Sequence, residues 1–119
     1  MNNYIIESTS ISLIDKKIEE IIKEKEFTDA SINTYDLDED SISSLIEDAN
    51  TISFLTPNKV VIGKNLSNNN LNEKDIDTLS RYLDNYNPDV ILIFTTKGID
   101  TRKKIVKEVK DLFSTEEII

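Results

Sequence analysis

The sequence predicts an α/β protein in which a parallel sheet is covered by helices on both faces, a three-layer arrangement. Short apolar runs alternate along the chain with stretches of helical period, which is the pattern of repeated βαβ units. Residues 90–94 are apolar at every position, as expected of a strand that is buried on both faces. We expect the sheet to be parallel and its connections to be right-handed.

The first part of the chain predicts a buried strand, a helix and an exposed strand. Residues 4–6 form the first strand, and Ser10 or Ser12 caps the helix that follows it. The predicted inner stripe of this helix consists of Ile11, Ile14, Ile18, Ile21 and Ile22. Residues 30–35 alternate polar and apolar side chains, which fits a strand at the edge of the sheet better than a central one.

The middle of the chain adds a second helix and a third strand. After an acidic turn at 36–40, Asp40 or Ser41 caps the second helix. Its predicted inner positions are Ile42, Leu45, Ile46 and Ala49. Residues 59–62 form the third strand, which Gly63 is expected to close before a polar loop begins.

Two further helices flank the apolar strand at 90–94. Asn72 caps the third helix, and Pro88 follows its end because the residue before a proline avoids the helical conformation. Its inner positions are Ile76, Leu79, Leu83 and Tyr86. The fourth helix is expected to start at Asp100 or Thr101. Its inner positions are Ile105, Val106, Val109, Leu112 and Phe113, and residues 116–119 begin another strand. We expect residues 1–119 to form a single domain.

The composition excludes most of the usual catalytic groups. The chain has no cysteine and no histidine, so it has no thiolate nucleophile, no imidazole base and no Cys or His metal ligand. Its two glycines, Gly63 and Gly98, are too far apart to form a glycine-rich phosphate loop. We therefore expect no cofactor, and function must come from carboxylates, hydroxyls, lysines or surface shape.

The charge balance argues against nucleic acid as the main partner. The chain carries 14 basic and 23 acidic residues, a net charge of −9, which repels a phosphate backbone at long range. Neither a signal peptide nor an apolar stretch of membrane-spanning length is visible. These features predict an acidic intracellular domain that does not enter a membrane.

One enzymatic interpretation rests on acidic side chains. Asp36 and Asp38 follow a predicted strand, and Glu7 ends another. Carboxylate oxygens at these positions are suitable ligands for magnesium, in an arrangement that resembles Toprim-type sites. Solvated charges in a turn explain the same residues, so the sequence leaves both interpretations open.

A basic row near the end of the chain also allows two interpretations. It consists of Lys97, Arg102, Lys103, Lys104, Lys107 and Lys110. Several of these side chains share one face of the predicted fourth helix, which would suit contacts with phosphate. The wet side of an amphipathic helix has the same composition.

The most unusual segment is residues 51–57, TISFLTP, which follows the second helix. Phe54 and Leu55 are large, adjacent and apolar, and they stand shortly before Pro57. Adjacent side chains in an irregular segment do not easily point into one core, so an exposed pair is available for a pocket on a partner. The alternative is that one or both cover the end of the second helix.

The order of several short motifs resembles the N-terminal domain of the bacterial DNA polymerase III delta subunit. The motifs are YII at 4–6, LIDKKIEEII at 13–22, YDLDED at 35–40, FLTPNKVVI at 54–62, PDVILIF at 88–94 and DTRKKIVKEVK at 100–110. Together they cover nearly the whole chain. The resemblance implies an AAA+/P-loop-like core without a functional Walker A loop, and Ser8 stands where the family often has glycine.

The resemblance also implies a function without chemistry. Family members bind the sliding clamp, the beta subunit, through a hydrophobic element and favour its open form during DNA replication. Other clamp-loader subunits hydrolyse ATP, contact with DNA is indirect or weak, and the location is the bacterial cytoplasm. The clamp-binding element corresponds here to Asn50, Ile52, Ser53, Phe54 and Leu55. Phenylalanine precedes leucine here, the reverse of one familiar version, and the lid and collar domains of the family are not in this chain.

Two rival hypotheses follow from the residues alone. The first is a Toprim-like magnesium enzyme that uses Glu7, Asp36 and Asp38. The second is an α/β protein-interaction domain that is unrelated to replication.

Overall fold

The computed structural model describes residues 2–51 and 53–118 of the chain. In chain order its elements are β1 (Asn3–Glu7), α1 (Ile11–Glu24), β2 (Ser31–Asp36), α2 (Ile42–Asn50), β3 (Lys59–Lys64), α3 (Glu73–Asp84), β4 (Val90–Thr96), α4 (Lys104–Lys110) and β5 (Ser114–Glu117). A short 3₁₀ turn at Asn68–Asn70 precedes α3.

The five strands form one sheet in the order β2-β3-β4-β1-β5, and every neighbouring pair is parallel. The crossover from β1 to β2 runs across the sheet in the opposite direction to the later crossovers. Right-handed connections therefore place α1 on one face and α2, α3 and α4 on the other. This confirms the predicted three-layer parallel α/β fold, with the half-exposed strand at an edge.

Two apolar layers hold the helices to the sheet. On one face, Ile18 and Ile21 of α1 pack on side chains such as Ile6 of β1. On the other face, the three helices cover a larger cluster that includes Leu45 and Phe94. Every residue of β4 is buried, which is why its sequence is apolar without alternation.

At the starts of α1, α2 and α3, a capping side chain accepts a backbone N–H group that has no acceptor within the helix. Ser10 accepts the N–H of Leu13 at 3.3 Å, and Ser41 accepts the N–H of Ser44 at 3.1 Å. Asn72 caps α3, because its side-chain oxygen accepts the N–H of Asp75 at 2.9 Å. Serine and asparagine are preferred caps for this reason, and the cap at 72 is confirmed, while the choices at the first two helices resolve to Ser10 and Ser41.

The end of α1 is a Schellman motif built without glycine. The N–H of Glu26 donates to the carbonyl of Lys23 at 3.1 Å, and the N–H of Phe27 donates to that of Ile22 at 3.1 Å. Glu26 has a φ of 56°, the left-handed conformation that glycine usually supplies at this position.

The fourth helix begins later than predicted. It starts at Lys104 and not at Asp100 or Thr101. The side chain of Asn68 bonds both the N–H and the carbonyl of Asp100, at 2.8 and 2.9 Å, and the Asp100 carboxylate accepts the N–H of Arg102 at 3.0 Å. These bonds fix a turn where a helix was expected.

Several predicted inner positions are exposed instead. Ile11 occupies the first position of α1 and is 76 % exposed. Tyr86 lies beyond the end of α3 and Leu112 beyond the end of α4, and both are exposed, whereas Tyr82 takes the inner position on α3. Ile105 also faces solvent. Tyr86 and Leu112 are exposed because the helices end before them, whereas Ile11 and Ile105 lie in the first turn of their helices.

Gly63 lies within β3 and does not close it, because the strand continues to Lys64. A Cβ atom at this position would stand 2.7 Å from Cδ1 of Leu45 and 2.7 Å from Cδ1 of Phe94. The glycine therefore allows α2 and β4 side chains to approach the strand backbone closely.

No helix within residues 2–51 and 53–118 combines the length and the apolar character needed to cross a bilayer.

Candidate functional site

The 51–57 segment presents two large apolar side chains to solvent. It connects α2 to β3, and Phe54 is 101 % exposed while Leu55 is 92 % exposed. The alternative, in which the pair covers the end of α2, does not fit these exposures. Full exposure of two adjacent apolar side chains is unfavourable for the free molecule, which makes the pair a candidate contact site for a partner.

Two of the other residues named for this element, Asn50 and Ser53, precede the pair in the described part of the chain. Asn50 is the last residue of α2 and is exposed, beside a depression of about 340 Å³ between α2 and α3. Ser53 is partly exposed, and its hydroxyl accepts the N–H of Leu55 at 3.3 Å. Ile52 lies outside the described residues. Asn50 and Ser53 thus flank the exposed pair on its N-terminal side.

A buried lysine anchors the base of this segment. Lys59 begins β3 and is 7 % exposed. Its ammonium group donates to the carbonyl of Thr51 at 2.8 Å, the carbonyl of Asp48 at 3.0 Å and Oδ1 of Asp48 at 2.9 Å. A cation is favourable at this position because the last carbonyls of a helix are unpaired and carry partial negative charge.

The Asp48 carboxylate joins three elements. Besides Lys59, its Oδ2 atom accepts the Asn33 amide at 3.0 Å and the Tyr35 phenol at 2.6 Å, both from the edge strand β2. Burial acts to raise the pKa of Asp48, but the hydrogen bonds from Tyr35, Lys59 and Asn33 outweigh it and leave the pKa below its usual value. The carboxylate is therefore charged at neutral pH and closes the network.

The same network affects Tyr35. The hydrogen bond to Asp48, followed by partial burial, raises the pKa of Tyr35 to about 12. The phenol consequently stays protonated and remains a donor over the whole physiological range.

The three carboxylates of the magnesium hypothesis do not come together. Glu7 ends β1 and Asp36 ends β2, and two strands lie between these. Three strand spacings put the two backbones about 14 Å apart, whereas magnesium–oxygen distances are about 2 Å. Within the described part of the chain, no three acidic side chains form a possible metal-binding group.

Asp36 has a local structural role instead. Its Oδ1 atom accepts the Asn65 amide at 2.9 Å and the N–H of Asp38 at 3.0 Å. The bond from Asn65, and then that from Asp38, keep the pKa of Asp36 below its usual value. The acidic turn after β2 is thus held by its own side chains.

Half of the basic row is paired within its own segment. Arg102 binds Asp100 at 2.6 Å and Lys107 binds Asp111 at 2.9 Å. Lys104 also lies 3.8 Å from Glu108. Exposed pairs of this kind contribute little to stability, but they reduce the positive charge that a phosphate would meet.

A cavity of about 470 Å³ lies at the carboxyl ends of β1, β3 and β4. Parallel α/β proteins often bind ligands at this edge. Only residues 8–10 connect β1 to α1 there, and the hydroxyl of Ser8 accepts the N–H of Ser10 at 3.1 Å. This short connection has no glycine-rich turn of the kind that surrounds a phosphate.

The sequence allows the exposed pair as one of two interpretations, but it does not predict the residues that anchor the segment. Asp48 is not among the candidate residues that the sequence suggests, and residue 59 enters the prediction only as the start of the third strand. One signal was available, since Lys59 is the first basic residue after Lys25 and directly precedes an apolar strand. A lysine that enters a buried strand needs acceptors nearby.

The fold and the site define a three-layer parallel α/β domain that carries an exposed apolar pair on a loop with an ordered base. A family model described as DNA polymerase III, delta subunit matches residues 4–116. The chain belongs to this family, as the sequence motifs predicted.

A solved structure has a similar fold. The chain is similar to the Bacillus subtilis DNA clamp loader delta protein (YqeN), with a TM-score of 0.75 and 23% sequence identity. The match covers 99% of this chain and 38% of that chain, so the present sequence spans well under half of its length. At this identity the likeness concerns the fold. No match was found among the curated proteins.

Proposed function

We propose that this chain is a non-catalytic, AAA+-like domain that binds the sliding clamp through the 51–57 segment and promotes opening of the ring. The observation that carries the proposal is the full exposure of Phe54 and Leu55 in a member of the delta family. Asn50, Ile52 and Ser53 complete the contact in this proposal. The place of action is the bacterial cytoplasm, with ATP hydrolysis in partner subunits and little or no direct contact with DNA.

The chemistry of the pair suits a reversible contact. Burying a phenylalanine or a leucine side chain contributes roughly 1.5–3 kcal/mol. Two such side chains together contribute roughly 3–6 kcal/mol, which does not exceed the cost of association of about 4–15 kcal/mol. The pair therefore holds a partner only together with further contacts, and the complex can dissociate. A loading cycle needs this behaviour, because the loader must release the clamp.

Ring opening requires no reacting group on this domain. A ligand shifts a conformational equilibrium only by the difference between its affinities for the two states. If Phe54 and Leu55 fit the clamp better when the neighbouring subunit interface is open, their binding free energy favours the open ring. The absence of histidine and cysteine from the sequence is compatible with such a role.

A calorimetric titration against the sliding clamp of the same source tests the proposal. We expect the wild-type chain to bind and Phe54→Ala/Leu55→Ala to lose most of the affinity. Ile11→Ala is the matched control, because Ile11 is also an exposed apolar side chain but lies on α1. Equal binding by the wild type and the double variant, or no binding by the wild type, would contradict the proposal.

A stability measurement checks whether the double variant still folds. Phe54 and Leu55 are exposed, so their removal should change the free energy of unfolding by no more than about 0.5 kcal/mol each. Ring opening is tested separately by release of clamps from circular DNA. Wild type should accelerate release, and the double variant should not.

A further inference from the structure

The three bonds of Lys59 connect the two ends of the 51–57 segment. Lys59 lies two residues after the end of the segment, and one of its acceptors is the carbonyl of Thr51, the first residue of the segment. An ammonium group has three N–H donors, and here all three have protein acceptors. The lysine side chain therefore fixes the distance between the start and the end of the loop.

The acceptors of Lys59 are in turn fixed to the sheet. Asp48 is held by Asn33 and Tyr35 of β2. On the other side of the loop, the carbonyl of Asn58 accepts the N–H of Ser31 at 3.2 Å. Both ends of the segment are thus attached to the same edge strand.

The tip of the segment is held far less than its base. Residues 53–56 form this tip, and within it the N–H of Leu55 donates a hydrogen bond to the hydroxyl of Ser53. Phe54 and Leu55 have no cover from the rest of the chain, as their exposure shows. Their orientation relative to the domain consequently depends on the anchored base.

We propose that Lys59 and Asp48 are positioning residues for clamp binding: they order the 51–57 segment so that Phe54 and Leu55 are presented together to the clamp. The inference rests on the proposed function for its partner, but the ordering itself concerns the free chain. Ordering a loop before binding removes part of the entropic cost that would otherwise oppose association.

If Lys59 and Asp48 served only to stabilise the fold, loop order and clamp affinity would follow stability in every variant. A buried ion pair that is replaced by apolar side chains often leaves stability unchanged or improved, whereas removal of one partner is destabilising. Asp48→Leu/Lys59→Met should therefore keep a folded chain, yet it lacks the donors that hold the carbonyl of Thr51. Stability and loop order can be separated in this way.

The first measurement uses the free chain. Backbone amide relaxation by NMR should give lower order parameters for residues 53–56 in Lys59→Met and in the double replacement than in the wild type, falling below about 0.6. Lys107→Met is the control, because it breaks the exposed pair with Asp111 on α4. Unchanged order parameters at residues 53–56 would overturn the inference, whether or not the clamp binds.

The second measurement is affinity for the sliding clamp. Lys59→Met and Asp48→Leu/Lys59→Met should each weaken binding about three- to tenfold, the loss expected when one or two side chains must be ordered on association. Lys107→Met should bind as the wild type does. If affinity returns with stability in the double replacement, the role is structural and the inference fails. If the wild type itself does not bind, the proposed function fails, and the relaxation data alone decide whether Lys59 orders the segment.

Discussion

The phenol of Tyr35 donates a 2.6 Å hydrogen bond to Oδ2 of Asp48, and this bond joins the edge strand β2 to the last turn of α2. Asp48 is thereby held at the point where α2 ends and the 51–57 segment begins. The bond keeps the phenol protonated and favours the ionised carboxylate. The hydrogen bond between these two side chains is therefore kept at neutral pH, and only strongly acidic or strongly basic conditions weaken it.

Replacing Asp48 should change stability in acid. The pKa of Asp48 is lowered on folding, so its charged form stabilises the folded chain above about pH 4, the range where an unfolded aspartate is ionised. This contribution is lost as the pH falls through the folded pKa. Asp48→Asn should therefore give a flatter dependence of the free energy of unfolding on pH below about 4.

Urea unfolding at a series of acidic pH values measures this dependence. The wild type should lose stability more steeply than Asp48→Asn as the pH decreases. Tyr35→Phe is the informative companion, because it removes one of the bonds that lower the pKa and should reduce the slope only in part. Parallel curves for the wild type and Asp48→Asn would show that the carboxylate does not gain stability from its partners.

Gly63→Ala should destabilise the fold. The added methyl group would stand 2.7 Å from both Leu45 and Phe94, and overpacking of this kind costs about 1–3 kcal/mol. Urea unfolding at neutral pH measures the effect. Gly63→Ala/Leu45→Ala tests the cause, since removal of the opposing side chain should make the alanine at 63 less harmful than it is alone. An unchanged midpoint for Gly63→Ala would contradict the packing described here.

Glu26→Gly should stabilise the chain. Glu26 has a φ of 56° at the end of α1, where glycine adopts the left-handed conformation without a clash. After the greater freedom of glycine in the unfolded chain is subtracted, we expect a gain of about 0.5–1 kcal/mol. Thermal unfolding is a suitable measurement. Glu20→Gly, in the middle of the same helix, should instead destabilise by about 1 kcal/mol; destabilisation by both changes would contradict the Schellman assignment.

The fold was predictable because its signals are local and repeated. The apolar run at 90–94 became the buried strand β4, and the alternating run at 30–35 became the edge strand β2. Periodicity alone did not find where helices end. The late start of α4 depends on the contact between Asn68 and Asp100, which are 32 positions apart in sequence.

The site was predictable only in part, for a related reason. Adjacent Phe54 and Leu55 are unusual in the sequence itself, although the sequence equally allows them to cover the end of the second helix. The anchor below them requires Asn33, Tyr35, Asp48 and Lys59 to meet, and these belong to three different elements. No spacing in the sequence indicates that meeting. The magnesium hypothesis was wrong for a related reason. The sequence allows Glu7 and Asp36 to lie close together, but the strand order places two other strands between them.

The most direct test of clamp binding is photocrosslinking from the exposed pair. Benzoylphenylalanine in place of Phe54 puts the reactive group where the clamp is proposed to bind, and the same residue in place of Ile11 puts it on an exposed apolar position of α1. After mixing with the sliding clamp of the same source and irradiation, position 54 should give a covalent adduct with the clamp and position 11 should not. An adduct from position 11 without one from position 54 would contradict the account.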